Sequence, residues 1–216
     1  GEMTSWTSSR RGRPPRGCEG EATLRILAAA KPVFLKEGFE GASVDAIAVS
    51  AGMSKKTIYA RFASKEDLFE AVIVRFIEEN APSVEQAASQ VGPLSDRLHG
   101  MALAILEVAL TVDAIAVRRI IVAEAVRFPE FGRLLHDFGI ARILPLIERC
   151  LEEGNASGEI AVDDVRQAGD LFLSIAIRGF VDKVELGQKR PGLSHVKRET
   201  LKGAIDFFMR ACRKRE

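Results

Sequence analysis

The sequence is poor in residues that build metal or redox sites. Its three cysteines, Cys18, Cys150 and Cys212, are far apart and form no CxxC pair, so neither a zinc ribbon nor a disulfide framework is predicted. The three histidines have no cysteine or carboxylate at metal-ligand spacing. We therefore expect reduced thiols, no metal ion and no cofactor.

The sequence also lacks catalytic motifs and long apolar runs. No GxSxG, HExxH, Walker A or dinucleotide-binding glycine pattern is present, and the carboxylates are scattered among basic neighbours. Because no convergent set of reactive groups is found, we do not expect an enzyme. No uncharged stretch reaches about 18 residues and no apolar run follows the N-terminal arginines, so we expect neither a membrane span nor a signal peptide. A cytoplasmic protein is the simplest interpretation.

Charge is distributed unevenly along the chain, although the total is only +1. Residues 1–65 hold eleven Lys and Arg against six Asp and Glu, a net +5, whereas the remainder holds twenty against twenty-four, a net −4. A basic N-terminal part suits a protein that meets nucleic-acid phosphates there.

Residues 1–20 are rich in Ser, Gly, Pro and Arg, and we interpret them as a flexible basic arm. Within the arm, Arg11 and Arg13 belong to an Arg-Gly-Arg-Pro segment. Such a segment, when extended, can lie in a narrow minor groove, where the negative potential is strongest. A solubilising tail has the same composition, so both interpretations stay open.

Residues 43–62 predict two short helices joined by a tight turn. Ala48, Gly52 and Ile58 fall at the offsets of a helix-turn-helix, and Gly52 stands where the turn requires a positive φ. Ser54 is the expected N-cap of the second helix. That helix presents hydrogen-bonding and cationic side chains on its outer side, namely Lys55, Lys56, Thr57, Tyr59 and Arg61.

The flanking residues resemble the signature of the TetR family of bacterial regulators. The matching residues are Gly38-Phe39, Ser43-Val44, Thr57-Ile58-Tyr59, Phe62 and Lys65-Glu66-Asp67-Leu68-Phe69. The resemblance is strong over roughly residues 24–76 and weaker over residues 119–131, which look like an AefR-like C-terminal domain. It implies an all-α fold with an N-terminal three-helix DNA-binding head and a C-terminal helical body that binds a ligand and dimerises.

The resemblance also implies which side chains contact DNA. We expect Lys55, Lys56 and Thr57 to contact base edges, and Tyr59, Arg61 and Lys65 to hold phosphates. Arg61 departs from the family pattern, in which His or Tyr is frequent. The complete predicted set is Ser43, Ser54, Lys55, Lys56, Thr57, Tyr59, Arg61 and Lys65, with Arg11 and Arg13 from the arm.

Helical periodicity continues to the C-terminus without a strand signal, which gives about nine helices. We expect Pro82 to end the fourth helix and residues 154–158 to form a loop. Helices are predicted over residues 130–153, with a kink at Pro145, and over residues 163–186. The chain is divided into the arm 1–20, a helix-turn-helix domain 21–66 and a body 67–216.

The methionine and aromatic side chains of the body could line a cavity, although a filled core would contain the same residues. Arg118 and Arg178 are stranded among apolar neighbours and would supply polar groups. The predicted ligand-contacting set is Met101, Ile105, Arg118, Val122, Phe131, Phe138, Phe172 and Arg178. We expect a lipophilic, largely neutral ligand.

The last two helices carry more apolar surface than one neighbouring helix can cover. Part of that surface must be intramolecular core, and the family resemblance implies that the rest forms a four-helix bundle in a homodimer. The predicted dimer residues are Leu171, Ile175, Gly179, Leu201, Ile205, Phe208 and Cys212.

The sequence thus predicts a ligand-responsive regulator, most often a repressor, that binds a palindromic operator as a homodimer. Ligand binding would displace the helix over residues 114–127, which we expect to pack against the helix over residues 64–79. The alternative is a DNA-binding protein without a small-molecule effector, controlled by a protein partner or acting architecturally. A cavity in the body separates these hypotheses.

Overall fold

The computed structural model describes residues 20–213, and this part of the chain is helical without a strand. Two π-helical segments, His136–Ile140 and Ser174–Arg178, join α7 to α8 and α9 to α10, so eleven α-helical segments make nine continuous helices in the described part. The all-α prediction is confirmed. The segments are α1 Glu21–Gly41, α2 Val44–Ala51, α3 Lys55–Tyr59, α4 Lys65–Ala88, α5 Leu94–Ala109, α6 Val112–Ala123, α7 Pro129–Leu135, α8 Ala141–Ser157, α9 Val165–Leu173, α10 Gly179–Glu185 and α11 His195–Cys212.

Two predicted boundaries are wrong because packing overrides local signals. Helix α4 continues through Pro82 to Ala88, and its last turns bury Val84 and Ala88 in the body core. The region predicted as a loop after residue 153 is helical up to Ser157, and the helix ends at Gly158, which adopts a left-handed conformation with φ 80°. Each of the helices predicted over residues 130–153 and 163–186 contains one of the π-helical segments, a local change of hydrogen bonding that was not predicted.

The described residues form two hydrophobic cores, which share α4. The head core lies between α1, α2, α3 and the first half of α4, and it also receives Val117, Ile120 and Ile121 of α6 and Phe131 of α7. The body core is built mainly from α5 and α8 to α11, together with the last turns of α4. The head is therefore packed directly against two body helices.

The contacts of α6 differ from the prediction that this helix packs against the helix over residues 64–79. Helix α6 packs mainly on α1 and α10, whereas α7 packs on α4. This arrangement arises because the buried face of α6, with Val117 and Ile120, enters the head core beside α1. No single described helix is long and apolar enough to cross a membrane; α5 and α6 meet that test only as a pair bent by 73°.

Candidate nucleic-acid interface and body cavity

The helix-turn-helix is fixed by local hydrogen bonds. The Ser43 hydroxyl accepts the Ala46 N–H at 3.1 Å and caps α2, and the Ser54 hydroxyl accepts the Thr57 N–H at 3.1 Å and caps α3. Gly52 has φ 65° and ψ 35°, the left-handed conformation predicted for the turn. A residue with a Cβ rarely adopts that conformation, so the turn depends on glycine.

Arg25 is a supporting residue that the sequence reasoning missed. Its Nη2 donates to the Ala51 carbonyl at 2.7 Å and thereby holds the end of α2 against α1. Arginine is common on helix surfaces, and this contact joins positions that are far apart in the chain. No local sequence pattern therefore predicts the contact.

The predicted recognition surface is exposed. Lys55, Lys56, Thr57, Tyr59 and Arg61 all face solvent, whereas Ile58 is buried in the head core. These side chains are therefore accessible to a duplex that lies against α3. Arg11 and Arg13 lie outside the described residues.

Three of the cationic side chains in the predicted contact set also have partners within the protein. Lys55 Nζ lies 3.3 Å from the Asp45 carboxylate, and both side chains are exposed, so a phosphate or base could replace this partner. Arg61 donates to the Thr23 hydroxyl at 3.1 Å. Lys65 is held more firmly, because its Nζ donates to the Ala42 carbonyl at 3.3 Å and lies 4.5 Å from the centre of the Phe39 ring.

A cavity of about 230 Å³ lies in the body between α4, α5, α6, α8, α10 and the two π-helical segments. Its wall is mostly aliphatic. Four of the eight predicted ligand-contacting residues line it, namely Ile105, Arg118, Phe138 and Arg178. Lining residues that were not predicted include Ile73, Phe76, Ile77, Asn80, Val84, Glu85, Val117, Ile121, Arg142, Ile143, Leu146 and Val181.

The other four predicted residues lie elsewhere. Met101 is fully buried in the body core, with its Sδ 3.6 Å from the Sγ of Cys150, and Phe172 packs on Phe208 in the same core. Phe131 belongs to the head core, and Val122 is 53% exposed to solvent. Because α4 was predicted to end at residue 79, Asn80 and Val84 were not predicted to line the cavity.

Each arginine on the cavity wall is paired with a carboxylate. Arg118 Nε donates to Glu185, which is only 14% exposed. Arg142 binds Glu85 across α8 and α4, with an Nη2 to Oε1 distance of 2.6 Å. Arg178 binds Asp170 at 3.1 Å. The three guanidinium charges on the wall are therefore neutralised.

Five phenylalanines join the head to the body, and we call them the junction cluster: Phe34, Phe39, Phe69, Phe128 and Phe131. The ring centroid of Phe131 lies 4.9 Å from that of Phe69 and 5.3 Å from that of Phe39. An ion pair between Lys31 of α1 and Asp113 of α6 at 2.8 Å and a pair between Arg127 and Glu40 add polar links. Head and body thus contact each other through side chains as well as through α4.

The predicted dimer residues separate into two groups. Leu201, Ile205, Phe208 and Cys212 are buried in the chain's own core, so they are unavailable to a second copy. Leu171 is 51% exposed, Gly179 is exposed and Ile175 is half-buried. On α11 the exposed apolar side chains are instead Val196 and Phe207, at 70% and 60% exposure.

No metal centre is found among the described side chains, since no group of three or more His, Cys, Asp and Glu residues could hold an ion. The described thiols, Cys150 and Cys212, are buried and unpaired, and burial raises the pKa of each. Both are consequently poor nucleophiles.

Two family models match the chain. The N-terminal model, bacterial regulatory proteins of the tetR family, matches residues 26–72. The model for the C-terminal domain of AefR-like transcriptional repressors matches residues 96–214, more than half of the chain. The protein belongs to the TetR family. It is a helix-turn-helix transcriptional regulator, and the family assignment implied by the sequence is confirmed.

Individual relatives agree with this assignment. The chain is 25% identical to the uncharacterized HTH-type transcriptional regulator YhgD of Bacillus subtilis over 85% of its length and 92% of that protein. It resembles the structure of the flavonoid-responsive regulator FrrA, with 31% identity, a TM-score of 0.71, and coverage of 90% of this chain and 98% of that one. The structure of FadR from Bacillus subtilis in complex with stearoyl-CoA has the same fold, with 19% identity, a TM-score of 0.68, and coverage of 86% and 97%.

Proposed function

We propose that this TetR-family protein is a cytoplasmic repressor that binds a palindromic operator as a homodimer and is released by a lipophilic small molecule. One observation supports the proposed response to a ligand. Ile73, Val117 and Ile121 belong to the head core and also line the cavity. A molecule in the cavity would therefore push on side chains that support the DNA-binding head. This shared wall also favours a small-molecule effector over control by a protein partner.

DNA binding and dimerisation are assigned to two separate surfaces. DNA contacts are assigned to the exposed face of α3, with Lys55, Lys56 and Thr57 at base edges and Tyr59, Arg61 and Lys65 at phosphates. The dimer face is assigned to Leu171, Ile175 and Gly179 together with Val196 and Phe207, since these apolar positions are accessible. The paired heads must lie about 34–36 Å apart, or a multiple of that distance, to enter successive major grooves.

The coupling between cavity and head need only be modest. Helix α4 carries Ile73 and Phe76 on the cavity wall and Leu68 and Phe69 in the head core, so a shift of α4 moves the head. A coupling free energy of about 1–3 kcal/mol would weaken operator binding roughly 5- to 150-fold. A few ångströms of added separation between the recognition helices would be enough to lose the operator.

The deciding experiment begins with a footprint of the purified protein on the DNA beside its own gene, followed by binding of Lys55→Ala and Lys65→Ala to the protected site. Lys55→Ala should relax specificity at one base and cost about 1–3 kcal/mol, and Lys65→Ala should weaken all sequences alike and lower the salt slope by about 1. Arg149→Ala, on the exposed side of α8, is the matched control and should bind like the parent. Equal sequence profiles for the two lysine variants would refute the assignment of base and phosphate contacts.

A further inference from the structure

We infer that the effector is a neutral, compact molecule about the size of two fused rings that carries a hydrogen-bond acceptor, rather than a carboxylate or a long acyl chain. This inference rests on the proposed function, because it assumes that the body cavity is the effector site. It specifies the chemistry of the ligand and assigns Arg118 as the residue that recognises the acceptor.

The volume of the cavity limits the size of the ligand. An apolar cavity of about 150 Å³ is large enough to bind benzene. The cavity here measures about 230 Å³, which leaves room for roughly one further fused ring. A stearoyl chain with its CoA group is far larger than 230 Å³, so most of such a ligand would have to lie outside this cavity.

The charges on the cavity wall favour a neutral ligand. Arg118, Arg142 and Arg178 already have carboxylate partners, so an anionic ligand would bring an extra negative charge to a neutralised wall. Moving a carboxylate out of water is costly unless a free cation receives it. A neutral ligand avoids that cost and leaves the three ion pairs intact.

Arg118 has unused hydrogen-bond donors that a ligand could engage. A guanidinium has five N–H donors, and here only the Nε of Arg118 is engaged, by Glu185. Among the described residues its Nη groups have no hydrogen-bond partner. Arg119 next to it donates instead to the backbone carbonyls of Val184 and Glu185, at 3.0 and 2.9 Å, which fixes α6 on α10. A carbonyl or ether oxygen of the ligand could therefore accept a charge-assisted bond from Arg118 without displacing Glu185.

Three naphthalene probes of nearly equal size test these arguments with the full-length protein. They are 2-acetonaphthone, which is neutral with an acceptor, 2-ethylnaphthalene, which is neutral without one, and 2-naphthoic acid, which is anionic. We expect calorimetry to show that the ketone binds at least about tenfold more tightly than 2-ethylnaphthalene, which cannot accept a charge-assisted hydrogen bond from Arg118. The ketone should also bind at least about tenfold more tightly than 2-naphthoic acid, whose carboxylate must leave water without a free cation to receive it. Stearoyl-CoA should not bind at comparable concentration.

Variants separate the role of Arg118 from a general loss of structure. Arg118→Met alone leaves the largely buried Glu185 carboxylate without its partner, so the double variant Arg118→Met with Glu185→Gln is the fair comparison. It should bind 2-ethylnaphthalene normally and lose the advantage of the ketone. Ala109→Phe, which fills the cavity from α5, should weaken all three probes.

The outcomes distinguish this inference from the proposed function. Equal or tighter binding of 2-naphthoic acid or stearoyl-CoA would overturn the ligand class, while the operator footprint could still stand. Failure of every naphthyl probe to bind would overturn the size argument. A ketone advantage that persists in the double variant would remove Arg118 as the recognising residue.

Discussion

Substitution of Gly154 by alanine should destabilise the protein, although helix propensity alone predicts the opposite. Gly154 lies in the last turn of α8, where an alanine would favour the helix by about 0.8–1.0 kcal/mol. An added Cβ would lie 2.5 Å from Leu94 Cδ2 and 3.2 Å from Ile160 Cγ1. Both neighbours are almost fully buried, so neither has free space to enter. Overpacking of this kind costs about 1–3 kcal/mol. After subtraction of the propensity gain, we expect a net loss of up to about 2 kcal/mol.

Gly100→Ala is the matched control. Gly100 is also inside a helix, α5, but an added Cβ there meets nothing within 4 Å. This variant should gain about 0.5–1 kcal/mol from helix propensity alone. Urea unfolding of both variants at one fixed protein concentration measures the difference, since the proposed dimerisation would make stability depend on concentration. If Gly154→Ala were stabilised as much as Gly100→Ala, the close packing of α8 on Leu94 and Ile160 would be refuted.

Three further predictions concern the N-cap of α3, the proposed dimer face and the half-buried acid Glu70. Ser54→Ala should lower the free energy of unfolding by about 1 kcal/mol in urea titrations because α3 loses its N-cap, whereas the exposed Ser50→Ala should change little. Phe207→Asp should shift the protein from dimer to monomer in sedimentation velocity, and Val91→Asp, in an exposed loop, should not; an unchanged dimer would contradict the assigned face. Burial and, to a smaller extent, the negative charges of neighbouring acids raise the pKa of Glu70 above its ordinary value. The stability that the protonated form contributes is therefore lost as the pH rises through this raised pKa. Glu70→Gln should therefore raise the Tm at neutral pH, and the gain should vanish in acid below the ordinary glutamate pKa.

The helix-turn-helix could be predicted in detail because its determinants are local. The caps at Ser43 and Ser54 bond to amides three residues away, and Gly52 is required by the dihedral angles of one turn. Burial of Ile58 follows from the same short periodicity. Such features depend on a few neighbouring residues, which the sequence displays directly.

The errors concern contacts between distant segments. Pro82 and Gly154 are ordinary helix-ending signals, yet both are helical here because the body core surrounds their helices. The π-helical segments have no periodicity of their own that a sequence pattern would reveal. In the same way, α11 has apolar residues on two sides, and the sequence did not show that Phe208 faces inward and Phe207 outward.

The junction cluster has a consequence for how the protein unfolds. Phe39 and Phe69 of the head pack on Phe128 and Phe131, so separating head from body would expose several aromatic rings at once. We therefore expect the amides of α1 and α4 to exchange with solvent in the same cooperative opening as those of α7, rather than in an independent opening of the head. A molecule that binds in the body would then slow hydrogen exchange in the head as well, even without any change in the average structure.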